Sequence, residues 1–352
     1  MKYINKILTI GLLFLSSLCG FAQTGDPTPE NYLPNIVPPS PEAYALGNFG
    51  NLPVGLFTGS PNVQIPLLSF NSKNISLPFS LSYTSTGIKV DDVNSRVGLG
   101  WNLIGGGVIN RVIRDQPDED GQLVIQEPNS GYLDPGLMQY LKTLGENVEM
   151  DSERDLFSYN FNGNSGQFVF DNDGTIVSLP QSDFKIEVYA TTTNDIYNFK
   201  ITDLQGTIYY FEVKEQTMLR TSGEGHPEPS LSYSAWYLNK IRTVEGREIY
   251  ITYDNYSEYY ISSQSQQMSL SYPSYQYSVG EPYVKAPTIS PINSHHTRII
   301  GKKIISIESN NPEDGKLEFI YQDMFPSSTT EPDLVLAQIK KLNKNLVEVD
   351  KV

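Results

Sequence analysis

Alternation broken by turns constrains this chain more than any other feature. From Leu156 onward, short runs of alternating apolar and polar residues are separated by Asp, Asn and Gly. Phe157-Ser158-Tyr159-Asn160-Phe161 leads to Asn162-Gly163, Gln167-Phe168-Val169-Phe170 leads to Asp171-Asn172-Asp173-Gly174, and Phe199-Lys200-Ile201 runs through Asp203 to Gly206. The pattern returns at Trp236 to Ile241, at Glu245-Gly246 with Arg247 to Asp254, and at Asp314-Gly315 to Tyr321. A period of two places every second side chain on one face of an extended strand, and Asn-Gly or Asp-Gly between such runs is the strongest local sign of a β-hairpin. The turn glycines Gly174, Gly206, Gly246 and Gly315 are unevenly spaced, which excludes a strict solenoid period. The expectation is an all-β fold: successive antiparallel hairpins in a large curved open sheet.

Composition agrees with that reading. Tyr (23) and Phe (15) far outnumber Trp (2), and aromatic side chains suit half-buried strand faces. One short helix is predicted over 135–144, where Leu137, Tyr140, Leu141 and Leu144 form an apolar stripe, Asp134 can cap the start and Gly145 can end it. Ile75, Leu77, Phe79, Leu81 and Tyr83 alternate strictly with polar residues or proline. Pro66 and Pro78 lack an N–H, so their strands are expected at an edge or beside a bulge. Tyr259 to Tyr283, dominated by Ser, Gln and Tyr, reads as a long loop whose tyrosines either pack back on the sheet or stack on sugar rings.

The densest punctuation lies between Tyr83 and Arg114. There Gly98, Gly100, Trp101, Gly105, Gly106 and Gly107 form a junction, with the indole expected as a core plug and the glycines as points of close backbone approach. The seven residues Asp115 to Gly121 hold four carboxylates, either as a solvated turn or as a cation-gathering loop; the spacing is not that of a helix-loop-helix Ca²⁺ site.

At the start, Lys2 and Lys6 precede an apolar run from Ile7 to Leu18 and the small-x-small signal Gly20-Phe21-Ala22. This reads as a secretory signal peptide (1–22) cut near Ala22, too short to span a bilayer. A lipoprotein alternative would acylate Cys19, but Leu18 before it is the wrong size for that signal. Cleavage takes the formal charge from −15 to −17 and removes the only cysteine, so no disulfide, thiol nucleophile or Cys-based zinc site is available. Such an acidic chain repels phosphate backbones, which disfavours nucleic acid as a partner. The expected organisation continues with a Pro-rich leader (23–41), an N-terminal β region (42–125) carrying the Gly-Leu-Gly-Trp junction, and a hairpin region (126–352). Leu346 to Val352 begins a return strand that stops abruptly, as in the first part of a longer coding sequence.

Chemistry is sparse. The imidazoles His226, His295 and His296 are the available bases for a Ser or Thr nucleophile. His226 lies in a Gly-His-Pro-Glu-Pro loop, and adjacent His295 and His296 on a strand point to opposite faces, which argues against a shared metal. Gly163-Asn164-Ser165-Gly166 misses the nucleophile-elbow spacing by one residue. No pair among the 40 acidic residues is singled out for glycoside hydrolysis. The junction glycines lack the context of a phosphate loop. The chain is therefore read as non-enzymatic, with no catalytic residue, cofactor or metal nominated.

Pro41-Glu42-Ala43 with Gly47-Asn48-Phe49-Gly50, Thr58 to Asn62 with Ile65-Pro66, Leu77-Pro78 through Tyr83, Gly87 to Val90, and Val97-Gly98-Leu99-Gly100-Trp101 with Gly105 to Ile109 resemble the N-terminal region of secreted RHS/YD-repeat proteins. The Gly-Leu-Gly-Trp element is also similar to one in the B components of bacterial toxin complexes. Ser165 to Asp171, Asp203 to Phe211 and Gly246 to Asp254 resemble degenerate YD units, and the resemblance covers Pro41 to Val352. It implies part of a hollow β shell that encapsulates or delivers a toxin cargo, with downstream YD repeats or a C-terminal toxin domain as partners in a longer parent chain, and a secreted or cell-surface location. The chain departs from the family in lacking a long tandem array, an autoproteolytic core and a toxin domain. The competing expectation is a cell-surface glycan-binding or adhesion module.

Overall fold

The computed structural model describes residues 60–84, 87, 89, 92–114, 117–118, 122–123, 135–146, 150–151, 153–171, 173–190, 197–221, 231–270, 287–324 and 333–352. All of these belong to one compact unit, Pro53–Val352. The expected signal peptide, the Pro-rich leader and His226 lie outside the described residues. What is described is mostly β, with one helix. No described helix is long and apolar enough to cross a membrane.

Strands β1 (Asn62–Ser72), β2 (Ile75–Thr84) and β3 (Trp101–Ile104) form a small antiparallel sheet in that order. The strict alternation in β2 buries Ile75, Leu77 and Phe79. Both prolines sit where the ladder can spare an N–H. Pro66 adjoins a register shift in edge strand β1, and Pro78 lies beyond the part of β2 that β3 covers.

From β3 the chain passes straight into β4 (Gly107–Val112), which joins a second sheet of thirteen strands. A two-stranded parallel pair, β5 (Gln122–Leu123) with β6 (Met150–Asp151), flanks helix α1 (Pro135–Glu146). The helix overruns the expected stop at Gly145 by one residue, and Leu141 is exposed, so its apolar stripe is shallow. Next come β7 (Leu156–Phe161), β8 (Asn164–Phe170), β9 (Ile176–Leu179), β10 (Lys185–Tyr189), β11 (Asn198–Thr202), β12 (Ile208–Thr221), β13 (Leu231–Arg242) and β14 (Glu248–Ser265). After a short pair, β15 (Met268–Ser269) with β16 (Thr288–Ile289), the chain completes β17 (Asn293–Ser309), β18 (Lys316–Asp323), β19 (Leu334–Leu342) and β20 (Glu348–Lys351).

Local turn chemistry explains much of this order. Asn162 and Gly163 take φ of 46° and 79° between β7 and β8, the left-handed pair that a two-residue hairpin requires. Four other turns share one backbone pattern: Asp171–Thr175, Asp203–Thr207, Thr243–Arg247 and Asn343–Val347. In each, the first residue's N–H donates to the carbonyl four residues on, and the fourth residue's N–H donates back to the first carbonyl. The fourth residue is Gly174, Gly206, Gly246 or Leu346, all at positive φ. The expected hairpin at Asp314-Gly315 is built differently, as a 3₁₀ turn at Pro312–Asp314 that Asn311 caps.

Hairpins alone do not describe the large sheet. β12 pairs with β13 and β17, and β14 also pairs with both, so β12, β13, β14 and β17 close a four-strand ring. Three arms leave it: β11 and β10 from β12; β4, β7, β8 and β9 from β13; and β18, β19 and β20 from β17. The expected loop at Tyr259–Tyr283 is corrected over its first part. Tyr259 to Ser265 belong to β14 because β17 offers a continuous partner as far as Asn293, and a polar Ser/Gln/Tyr run pairs readily when both faces can stay wet.

The core lies where the arms fold over one another. Trp236 on β13 is completely buried; its Nε1–H donates to the Tyr197 carbonyl at 3.0 Å. Its ring stacks on Tyr197 and meets Phe199 edge-on, with Phe157 5.8 Å away. The indole expected as the core plug is thereby corrected: Trp101 is only half-buried, on an edge strand beside Tyr83 at 5.1 Å.

Candidate functional site: a glycine-floored cleft

The direct link from β3 to β4 carries the chain from the small sheet into the large one, and a cleft of about 470 Å³ opens beside it. Gly105, Gly106 and Gly107 form its floor. Leu77, Pro78 and Leu103 line one side, and Tyr253, Tyr256, Ile304 and Tyr321 line the other. A Cβ on Gly105 would lie 2.2 Å from the Phe79 ring, so the backbone can run beneath Phe79 only without a side chain. Gly106 sits at φ +72°, facing Ile304 and the Tyr253 hydroxyl, a conformation that costs glycine least.

Gly98 and Gly100 belong to a turn on the cleft's rim rather than to its floor. The Ser95 hydroxyl donates to the Gly98 and Trp101 carbonyls, and the N–H groups of Gly98 and Trp101 donate back along the turn. This turn projects Arg96, whose guanidinium lies 4.0 Å from the centre of the Tyr256 ring. Arg96 donates to the Leu334 carbonyl at 3.1 Å and the Glu258 carboxylate at 3.3 Å, and its own carbonyl accepts from Leu336 N–H at 2.7 Å. Beneath it the Tyr256 ring covers Gly301, its cross-strand partner, where a Cβ would come within 2.3 Å of the ring. The result is a three-layer stack of glycine, tyrosine and arginine.

The polar groups inside this region are satisfied by one another. The Tyr237 hydroxyl donates to Glu215 at 2.8 Å, and the Tyr253 hydroxyl donates to the Leu238 carbonyl at 2.8 Å. Burial, reinforced by Glu215, pushes the Tyr237 hydroxyl far up, and burial does the same to Tyr253. Burial pushes Tyr256 and Tyr321 up to about 12. Glu215 and Glu258 are also raised, again chiefly by burial. These tyrosines stay protonated near neutrality, and the Tyr237 and Tyr253 hydroxyls act as hydrogen-bond donors. Lys302 at the mouth donates to the Asn255 side-chain carbonyl, and Lys303 pairs with Asp254. Apolar walls with a few fixed polar groups suit binding or packing.

Two other sequence features resolve elsewhere. Of the acidic turn, only residues 117 and 118 are described. Asp118 donates its N–H at 3.1 Å to Asp155, a fully buried carboxylate that also accepts from Arg111 Nε at 2.7 Å and Arg114 N–H at 2.8 Å. These contacts clamp β4 to the chain entering β7. Among the described residues, no group of three or more His, Cys, Asp or Glu side chains could hold a metal ion. His296 lies apart from the cleft, its Nδ1 2.7 Å from the Tyr259 hydroxyl.

Sequence reading brought Gly105, Gly106 and Gly107 to the site, and Gly98 and Gly100 to its rim. Arg96, Tyr237, Tyr256, Gly301 and Glu215 were missed. Gly301 left a signal, a single glycine inside the strand-like run from Arg298 to Ile307, which marks close approach by another group. Arg96 left none, because its partner strand lies 238 residues away.

No family model matches the chain, and no curated protein matches its sequence. Among solved structures, the chain is similar to the N-terminal domain of the effector protein SpvB from Salmonella typhimurium strain LT2, at 10% identity and a TM-score of 0.35, covering 80% of this chain and 87% of that one. It is also similar to TcdB2-TccC3-TEV, at 12% identity and a TM-score of 0.36, covering 81% of this chain and 13% of that one.

Proposed function

We propose that this chain is a non-enzymatic structural part of a secreted β assembly of the RHS/YD-repeat kind, one wall of a curved shell whose parent chain carries further repeats or a toxin cargo. The observation that carries the reading is the recurrence of one turn. Asp171, Asp203, Thr243 and Asn343 each open a hairpin with the same two backbone bonds, although the residues between them differ. A unit defined by its turn can be added repeatedly, because each hairpin leaves an edge on which the next strand can pair. Among the described residues β9 and β10 are such edges: each pairs with a single neighbour, β8 and β11 respectively.

Mass spectrometry of the product from its native cell tests this. The expected result is peptides encoded beyond Val352, with further Asp-x-x-Gly hairpins, in a particle much larger than this chain. A native product that ends at Val352, runs as a monomer and turns over polysaccharide would overturn the proposal.

A further inference from the structure

Hairpin turns gather at one end of the molecule, and they touch one another. Lys73 in the β1–β2 turn pairs with Glu245 in the β13–β14 turn at 2.5 Å. Ser72 donates to Asp314 at 2.5 Å, and Asn162 donates to the Tyr209 hydroxyl at 3.4 Å. The turns Asp203–Thr207 and Thr243–Arg247 meet at Gly206, where a Cβ would come within 2.8 Å of Val244. Every residue of these turns is described. At the opposite end β12 and β13 part at Thr221 and Leu231, and β14 and β17 at Ser265 and Asn293.

Between the turns lies a pocket of about 370 Å³, separate in its polar lining from the glycine-floored cleft. That volume falls in the range of ~300–1,000 Å³ usual for small-molecule sites. Its ionised groups balance: Lys73 and Arg247 line it together with Asp203 and Glu245. Lys73 is held by Glu245, Arg247 lies 3.6 Å from Asp314, and Asp203 accepts the N–H groups of Gln205 and Thr207 at 2.9 and 2.8 Å. A charged ligand would have to displace one of these partners. The uncommitted chemistry is neutral. Asn74 and Gln205 are exposed, and their carboxamides make no hydrogen bond among the described residues. Each carboxamide offers both donors and an acceptor. Beside them Val244 is 73% exposed and supplies an apolar wall.

One backbone feature marks the rim. Lys73 takes a φ of +51° in a two-residue turn, where hairpins usually carry Asn, Asp or Gly. A long side chain in that region is kept there by its surroundings, and such strain gathers at ligand clamps. Here it sets the ammonium group across to the next turn.

We infer that this pocket binds a neutral mono- or disaccharide. A sugar hydroxyl donates one hydrogen bond and accepts up to two, so it satisfies carboxamides and carboxylate lone pairs alike without bringing charge. The C–H face of the sugar ring packs on Val244. The site lies at the end opposite Tyr259 and His296, so it is distinct from the Ser/Gln/Tyr run whose tyrosines could stack on sugars. The inference goes beyond the structural role and stands independently of it.

Titration calorimetry of the full chain with glucose, galactose, mannose, N-acetylglucosamine, maltose and lactose tests this. Saturable binding of at least one of them is expected. Asn74→Ala and Gln205→Ala should each weaken it about five-fold, the loss of one hydrogen bond. Lys73→Gly should weaken it while keeping the fold, because glycine adopts that φ freely. Tyr259→Ala should leave it unchanged. The substituted side chains are exposed, and circular dichroism checks that each variant is folded. Absence of saturable binding across all six sugars overturns the inference. So does tighter binding of glucosamine or glucuronate, which would make charge the deciding feature. Binding lost in Tyr259→Ala but undiminished in the Asn74 and Gln205 variants would also overturn it, placing the sugar at the other end.

Discussion

Trp236 and Tyr237 are neighbours in sequence on β13, and the two sides of that strand are built differently. Trp236 enters a dry aromatic core with Tyr197, Phe199 and Phe157, its one polar atom satisfied by a backbone carbonyl. Tyr237 faces the cleft region, where Glu215, Tyr256 and Arg96 keep charge beside aromatic rings. Both sides use large aromatic residues at strand positions. The difference is cover: β7, β8 and β11 close over Trp236, whereas the glycine floor and the small sheet leave the other side partly open. Burial by a second layer excludes water from one side, and the open side can tolerate ionisable groups only by pairing them.

The largest effect should separate the two tryptophans. Trp236→Ala is expected to cost about 3–5 kcal/mol, because a filled core position becomes a cavity. Trp101→Ala should cost about 1 kcal/mol, chiefly its pairing with Tyr83. Urea denaturation of both variants measures the contrast, and equal losses would erase it.

Next comes the stack on the cleft side. Gly301→Ala places a Cβ against the Tyr256 ring and should cost about 1–3 kcal/mol by overpacking. The displaced ring should also release Arg96, so amide exchange at Leu336, whose N–H bonds the Arg96 carbonyl, should quicken. Unchanged exchange would show that the turn holds Arg96 without the ring.

The smallest effect concerns pH. Burial raises the Glu215 carboxyl above its ordinary value of 4.5. Between the unfolded and folded values the folded chain binds more protons, so the stability contributed by this group falls as pH rises through that window. Glu215→Gln removes the titration and keeps an acceptor for Tyr237. Its melting temperature relative to the parent should therefore be higher at neutral pH than near about pH 4. An equal difference at both pH values would mean that Glu215 titrates as if in solvent.

Alternation and turn residues were legible because they act locally. Ile75 to Tyr83, the Asn162-Gly163 turn and the Asp203 and Thr243 hairpins each follow from a few neighbouring residues, and so does the mostly β character of the chain. The glycines of the cleft floor were legible as places of close approach, since nothing else requires three in succession. The sequence by itself determined these local preferences. Only the tertiary structure decided which indole is buried, that β12, β13, β14 and β17 close a ring, and that Arg96 lies on Tyr256 above Gly301. Those outcomes depend on strands far apart in the chain meeting in one register, and contacts of that range leave no period or motif in the residues that make them.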